Sequence, residues 1–162
     1  MSGFSEKMTS VSQGDLFPLA LDLPEVDPTL WQKLARSAFR QQFHLNTSDR
    51  AYLEKKGLTA VLEHGADFIA KRLAPAEPEK DGRQTPWKGH PVFVAQHATG
   101  TCCRSCLEKW HHFTKGLPLT FDQQIYILAV IGAWLEREEK MPVSVEENAP
   151  VRLYKRKYRR NL

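Results

Sequence analysis

Residues 120–139 read TFDQQIYILAVIGAWLEREE and are the most apolar segment of this 162-residue chain. Thr120 and Gln123 have the spacing of a capping box, which predicts that a helix begins at this point. The apolar run within it, residues 125–135, has 11 residues, whereas a membrane-spanning helix needs about 20. We therefore predict a buried core helix in a protein that does not enter a membrane.

Further helices are predicted upstream from the spacing of apolar residues and from residues that favour helix ends. Together they predict a mainly α fold: a small single helical domain with a long Pro/Gly loop, a Cys/His-rich segment and flexible tails. The predicted helices are residues 28–43 after Asp27, a short helix from Ser48 or Asp49 to Gly57, one from Thr59 to about Leu73, and one through residues 102–113 that starts at Thr99 or Thr101 and ends before Gly116.

The segment between the third and fourth of these helices is polar and rich in Pro and Gly. Residues 74–90, APAEPEKDGRQTPWKGH, contain three prolines and two glycines. The absence of an apolar period predicts a long loop. Residues 92–94, Val-Phe-Val, follow this loop and are expected to form a short strand or an extended core segment.

Composition divides the chain into three parts. Residues 1–26 are rich in Ser, Gly, Asp and Pro, so we expect a flexible N-terminal arm before a helical Cys/His domain over residues 27–140. Residues 141–162 form a basic C-terminal tail, in which residues 151–162 hold six of the 23 Lys and Arg. The rest of the chain has 17 basic against 19 acidic residues, so the net charge of +4 arises in the tail.

All three cysteines lie within five residues, at positions 102, 103 and 106. Adjacent cysteines do not readily pair, and an odd count leaves one thiol over, so a secreted disulfide framework is not expected. The first 26 residues also lack the basic start and apolar block of a secretory signal. We therefore expect a cytoplasmic protein whose thiols are reduced, metal-bound or reactive.

The densest chemical signal is residues 90–112, HPVFVAQHATGTCCRSCLEKWHH, which combine these cysteines with four histidines. Thiolate and imidazole are the ligands that tetrahedral zinc prefers. At about 100° per residue the three cysteines share one helix face, and His97 can approach them from the preceding segment. The candidate metal ligands are His97, Cys102, Cys103 and Cys106, and His111 joins them only if the helix breaks before Trp110. The expected cofactor is zinc, with an iron–sulfur cluster as the alternative.

Two other interpretations of this segment stay open. In one, the cysteines lie at a helix N-terminus beside Arg104 and are reactive thiolates, used in nucleophilic catalysis or in redox chemistry. In the other, they are small buried residues that bind nothing. A single CxxC spacing does not separate these possibilities from a metal site.

A peptide in the N-terminal arm, Gln13-Gly14-Asp15-Leu16-Phe17, resembles the motif by which many bacterial replication and repair proteins bind the DNA sliding clamp. In that motif a Gln and a Leu-Phe pair enter a surface pocket, and a flexible arm presents them without disturbing the domain. Gly14 stands where the motif usually has Leu. The resemblance implies that Gln13, Asp15, Leu16 and Phe17 contact the clamp.

The basic tail predicts nucleic-acid binding, because Lys and Arg neutralise phosphates and Tyr stacks on bases. Tyr154 and Tyr158 alternate with the tail's cations. The long loop and the Cys/His segment contribute further cations. The predicted nucleic-acid-binding residues are Arg83, Lys88, Arg104, Arg152, Lys155, Arg156, Lys157, Arg159 and Arg160.

The run GHPVFVAQHATGTCCRSCLEKWH, with RLAPAEPEKDGRQTP before it, resembles a bacterial family described as a domain of unknown function, DUF4186. The resemblance covers about residues 34–134 and leaves out the arm and the tail. It implies a shared fold and a shared site, with no activity attached. The implied site residues are His97, Cys102, Cys103, Arg104, Cys106 and His111.

These observations predict an accessory protein of DNA metabolism, in replication or repair. A Cys/His metal site would stabilise its domain, the tail would bind nucleic acid, and the arm would bind the sliding clamp. One alternative is a metal- or thiolate-dependent enzyme that acts on nucleic acid. Another is a thiol redox or metal sensor. No glycine-rich phosphate loop is present, so nucleotide-driven work is not expected.

Overall fold

The long apolar helix lies at the centre of the structure, a computed structural model that describes residues 22–142. Over these residues the chain forms seven helices and no strand, which confirms the mainly α fold. In chain order the helices are α1 (Pro28–Ala35), α2 (Ala38–Gln41), α3 (Thr47–Lys56), α4 (Leu58–Arg72), α5 (Pro91–Thr99), α6 (Arg104–His111) and α7 (Phe121–Lys140).

Helix α7 begins at the predicted capping box and carries the core. The Thr120 hydroxyl accepts a bond from the Gln123 N–H at 3.1 Å, and the Gln123 side chain accepts one from the Thr120 N–H at 2.9 Å. Helices α4 and α5 pack against α7. A Cβ added to Gly65 or Gly132 would lie 3.3 Å from side chains of the facing helix. Glycine at these positions therefore lets α4 and α7 approach closely.

The single helix predicted over residues 28–43 is wrong, because the chain breaks into α1 and α2. Asp27 caps α1 as expected, accepting a bond from the Thr29 N–H at 2.8 Å. Ser37 then caps the one-turn helix α2, its hydroxyl accepting from the Arg40 N–H at 3.3 Å. The new helix direction places the Arg40 side chain in the interior, where it is only 6% exposed.

The strand or extended segment expected at residues 92–94 is also wrong, because these residues lie in α5. Pro91 occupies the first position of that helix, and the His90 side chain caps it by accepting from the Val92 N–H at 3.1 Å. Every residue of α5 is buried. A helix that is buried on all sides has no exposed polar face, so the short apolar run at residues 92–94 does not distinguish it from a buried strand.

The helix predicted through residues 102–113 begins two residues later than expected. The Sγ atom of Cys103 caps it, accepting from the Cys106 N–H at 3.4 Å. It ends at His111, and His112 caps it with a positive φ of 61°, so Gly116 is not its terminus. The other two helices match their predicted spans closely. However, Asn46 rather than Ser48 or Asp49 caps α3, and α4 follows Gly57 directly without a side-chain cap.

The expected loop over residues 74–90 contains no helix or strand. Within residues 22–142, no helix combines the length and hydropathy that crossing a membrane requires. The clamp-like peptide at residues 13–17 and the tail cations at residues 152–160 lie outside the described residues.

Replacing Gly100 with Ala is expected to lower the free energy of unfolding by more than about 2 kcal/mol. Gly100 ends α5 with a φ of +70°, and its added Cβ would lie 2.7 Å from the ring of Trp110. Denaturant unfolding followed by helical circular dichroism measures the loss. Gly57→Ala is the matched control, because Gly57 has a φ of +82° but no atom within 4 Å of its Cβ. Equal losses in the two variants would contradict the packing argument.

Candidate functional site

Three thiols and one guanidinium meet where α2, the end of α5 and the start of α6 come together. The Sγ atoms of Cys102, Cys103 and Cys106 lie within 4.8 Å of one another. Cys102 and Cys103 are buried, whereas Cys106 is partly exposed. The Nη2 atom of Arg40 donates to Cys106 Sγ at 3.1 Å, and its Nη1 atom lies 3.7 Å from Cys102 Sγ.

Three further contacts hold the Arg40 side chain in place. Its Nη1 atom donates to the carbonyl oxygen of His97 at 2.7 Å. The guanidinium carbon lies 4.9 Å from the ring centroid of Phe39 and 5.7 Å from that of Trp110. Burial alone would lower the pKa of Arg40, but the charges of the two nearby sulfurs outweigh it and raise the pKa. The site therefore contains a permanent buried positive charge.

A network of hydrogen bonds fixes the backbone turn that presents the thiols. The Thr101 N–H donates to the Gln96 carbonyl at 2.9 Å, and the Gln96 side chain donates back to the Thr101 carbonyl at 3.1 Å. The Thr85 hydroxyl donates to the Cys102 carbonyl at 2.7 Å. These bonds also attach the long loop to the site, because Thr85 belongs to that loop.

The three thiols differ in their electrostatics. Hydrogen bonds from Cys102 and Cys103 lower the pKa of Cys106, and the adjacent Arg40 lowers it further against the effect of burial. Hydrogen bonds with Cys103 and Cys106, together with burial, raise the pKa of Cys102 well above its ordinary value. For Cys103, its bond with Cys102 lowers the pKa, but its bond to Cys106 and burial outweigh it and raise the pKa. Of the three thiols, Cys106 is therefore the one whose thiolate form the surroundings favour, and it faces Arg40.

His97 lies beside this cluster but outside the group of three mutually close ligand atoms. Its Nδ1 atom is 2.8 Å from the Phe93 carbonyl oxygen, which can only accept, so Nδ1 carries the proton and Nε2 holds the lone pair. The ring stacks on Trp87 with centroids 4.3 Å apart and on Phe43 at 5.5 Å. Burial lowers the pKa of His97, so the neutral ring predominates.

His111 also lies outside the thiol group, and both of its ring nitrogens have other partners. Its Nε2 atom donates to the Thr99 carbonyl at 2.9 Å, so Nδ1 accepts from the Tyr126 hydroxyl at 3.0 Å. His111 thereby connects the end of α5, helix α6 and helix α7. This arrangement gives His111 a structural role and leaves neither nitrogen available to a metal.

Arg104, which the sequence predicts to bind nucleic acid, is buried in the structure. Its side chain is 1% exposed and its guanidinium donates to backbone carbonyls on two loops, among them Pro75 at 2.8 Å and Thr114 at 3.1 Å. These bonds hold the ends of α4 and α6 together, so Arg104 cannot contact a phosphate without leaving them. The other two predicted cations in the described chain, Arg83 and Lys88, are exposed on the loop.

His90, at the other end of the Cys/His segment, belongs to a separate cluster. Its Nδ1 atom accepts from the Val92 N–H, so its Nε2 atom donates to His64 Nδ1 at 3.2 Å. The Tyr52 hydroxyl lies 3.3 Å from the same His64 nitrogen. Burial lowers the pKa of His90 from its ordinary 6.5 to about 4, and neighbouring His64 contributes to this shift.

Acid is expected to destabilise the protein through His90. Since the pKa of His90 is 6.5 unfolded and about 4 folded, the unfolded chain binds more protons between these values. The free energy of unfolding therefore falls as the pH drops from 6.5 towards 4. His90→Asn keeps an acceptor for the helix cap but does not titrate. In this variant the free energy of unfolding should therefore fall less steeply between pH 6.5 and 4. Denaturant unfolding across this pH range measures the slope.

His112→Asn is the matched control, since His112 is an exposed histidine of the same segment. In this control, the free energy of unfolding should fall between pH 6.5 and 4 as it does in the wild type. An unchanged slope in His90→Asn would show that another group causes the acid sensitivity.

The fold and the site define a small helical domain in which a buried arginine faces a three-cysteine cluster at a helix N-terminus. A family model described as "Domain of unknown function (DUF4186)" matches residues 28–136, from α1 to α7. The chain belongs to this family. The matched range contains Arg40 and all three cysteines. No solved structure matches the chain.

Proposed function

We propose that the protein is a metal-binding domain that holds a zinc ion on Cys102, Cys103 and Cys106. The observation that supports this is the close approach of the three sulfurs, which lie within 4.8 Å of one another. Two sulfurs on one tetrahedral zinc, each at about 2.3 Å, are about 3.8 Å apart. The cluster therefore needs only small side-chain shifts to bind the ion. Thiolate is also a soft ligand, which selects zinc over calcium or magnesium.

The buried charge of Arg40 fits such a site. Three thiolates around a divalent ion carry a net charge of −1, and a buried net charge is costly unless it is paired. The Arg40 guanidinium supplies the compensating positive charge at 3.1 Å from Cys106 Sγ. It also donates hydrogen bonds to sulfur, as groups surrounding a metal site commonly do.

His97 is our proposed fourth ligand. Its Nδ1 atom donates to the Phe93 carbonyl, an arrangement that fixes the tautomer and leaves Nε2 as the ligating nitrogen. The same Nη1 atom of Arg40 contacts the His97 carbonyl and Cys102 Sγ. The backbone of α5 and the first thiol are thus already held next to each other.

The role of the metal in this proposal is structural. The ion would connect the turn after α5 to the first turn of α6, and through Arg40 it would also fix α2. A domain of this size buries a modest core, so the free energy of metal binding would contribute directly to folding.

Cys106→Ser is expected to lower metal content and thermal stability together. Protein purified with reductant should hold about one zinc per chain, and the variant well under half of that, because one of the ligands is lost. Elemental analysis and thermal unfolding measure the two quantities. Ser105→Ala, an exposed neighbour on the same helix, is the matched control and should change neither.

Three outcomes would contradict this assignment. Full zinc content in Cys106→Ser would remove that residue from the ligand set. Iron with visible absorbance in place of zinc would support an iron–sulfur cluster. An unchanged Co²⁺ absorption spectrum in His97→Gln would exclude His97 as the fourth ligand.

We further propose that this domain acts as an accessory factor in DNA metabolism. The support is the charge of the tail, where six cations and two tyrosines lie within residues 151–162. Exposed Arg83 and Lys88 provide additional positive charge on the long loop. In this proposal the peptide at residues 13–17 recruits the protein to the sliding clamp.

Deleting residues 151–162 is expected to weaken binding to single-stranded DNA by at least about tenfold at low salt and to flatten its salt dependence, because fewer counterions are released. Fluorescence anisotropy over a potassium chloride series measures both effects. A Tyr154→Ala, Tyr158→Ala variant keeps every charge and should lose affinity without changing the salt slope. Undiminished affinity in the truncated chain would overturn the proposal and favour a metal or redox sensor.

A further inference from the structure

The thiol cluster can take a second chemical form besides the metal-bound one. We propose that Cys106 is oxidised by hydroperoxides and that Cys103 converts the oxidised form into a Cys103–Cys106 disulfide. This inference rests on the proposed function, because the cysteines that would be oxidised are the proposed zinc ligands.

Cys106 is the thiol that an oxidant reaches first. Cys102 and Cys103 are 9% and 8% exposed, whereas Cys106 is partly exposed at the surface end of the cluster. Arg40 donates to its sulfur at 3.1 Å. A positive charge at this position stabilises the negative charge that develops on the departing peroxide oxygen.

Cys103 is the partner that the backbone favours. Cys103 caps α6 and Cys106 lies in its first turn, and Cys103 Sγ accepts the Cys106 N–H at 3.4 Å. Residues three apart in a helical turn have Cβ atoms about 5–6 Å apart, so a small local adjustment suffices for a disulfide. The adjacent pair Cys102 and Cys103 does not have this freedom.

The reaction balances in two steps. The sulfur of Cys106 attacks one oxygen of hydrogen peroxide, the O–O bond breaks, and the other oxygen leaves as water after protonation. Cys106 is then a sulfenic acid. The sulfur of Cys103 attacks the Cys106 sulfur, the S–O bond breaks and a second water leaves. Two thiols are oxidised by two electrons, and one peroxide is reduced to two waters.

Disulfide formation would have two consequences for the domain. It removes two of the three proposed sulfur ligands, so a bound zinc ion would be released. In the zinc-loaded protein it also removes the thiolate charges of Cys103 and Cys106, so the buried Arg40 guanidinium loses the anionic sulfur that accepts its hydrogen bond at 3.1 Å. A buried charge that loses its partner is strongly destabilising, so the oxidised domain should unfold at a lower temperature.

Tryptic digestion can identify the disulfide because trypsin cleaves after Arg104, between the two cysteines. The full chain, metal-free and zinc-loaded, is treated with one equivalent of hydrogen peroxide and digested without reductant. We expect peptide 89–104 to be linked to peptide 105–109, with the link lost on reduction. In the zinc-loaded sample, zinc release measured with a chelating dye should rise in proportion to the linked peptide.

Cysteine variants separate the possible partners. Cys102→Ser should keep the linked peptides, whereas Cys103→Ser should lose them and leave Cys106 as a sulfenic acid that dimedone captures. A link that persists in Cys103→Ser, or one that is lost in Cys102→Ser, would overturn the assignment of Cys103. A disulfide confined to peptide 89–104 would show that Cys106 takes no part.

The experiment also distinguishes failure of this inference from failure of the zinc proposal. Reduced protein that holds zinc but gives no linked peptides after peroxide treatment would overturn the oxidation proposal alone. Reduced protein without zinc that forms the linked peptides would overturn the zinc proposal and support Cys106 as an oxidation site.

Discussion

The contact between the Arg40 guanidinium and the sulfurs of Cys102 and Cys106 is the interaction on which the site depends. A guanidinium remains charged at any physiological pH, and its burial without a partner costs several kcal/mol. The residues around Arg40 must therefore supply negative charge or hydrogen-bond acceptors. They do so with sulfur, at 3.1 Å from Nη2, and with the carbonyl of His97. The break between α1 and α2 is therefore important for the site, because it directs the Arg40 side chain towards the thiols.

The sequence predicted the helices where local signals agreed with the tertiary structure. The capping box of α7 can be recognised in the sequence from Thr120 and Gln123, and both of its hydrogen bonds form in the structure. The break at Ser37 could not be predicted in the same way. Apolar residues continue at helical spacing past it, to Phe43, so the period indicates one helix. The short apolar run at residues 92–94 is ambiguous for a related reason, because burial on all sides removes the alternation that separates a strand from a helix.

The candidate site was predictable only in part. The cysteines cluster because they are close together in the chain. The role of Arg40 depends on the His97 carbonyl and the Cys106 sulfur, which lie 57 and 66 residues further along the chain. The role of Arg104 also could not be predicted from the sequence. Its charge indicated a phosphate contact, but the surrounding backbone carbonyls make it an internal connection between loops. Residue type identifies what a cation can bind, while the fold decides which acceptors lie within its reach.

Charge balance at Arg40 connects the chemical states of the cluster to the stability of the domain. In the metal-free site the Cys106 sulfur accepts the Arg40 hydrogen bond at 3.1 Å, and in the proposed zinc site three thiolates with a divalent ion would balance the Arg40 charge. A Cys103–Cys106 disulfide supplies no negative charge. The first two states therefore keep α2 held against the end of α5 and the start of α6, and the third weakens that attachment. Through Arg40, a change confined to two sulfur atoms is transmitted to a helix that lies more than 60 residues earlier in the chain.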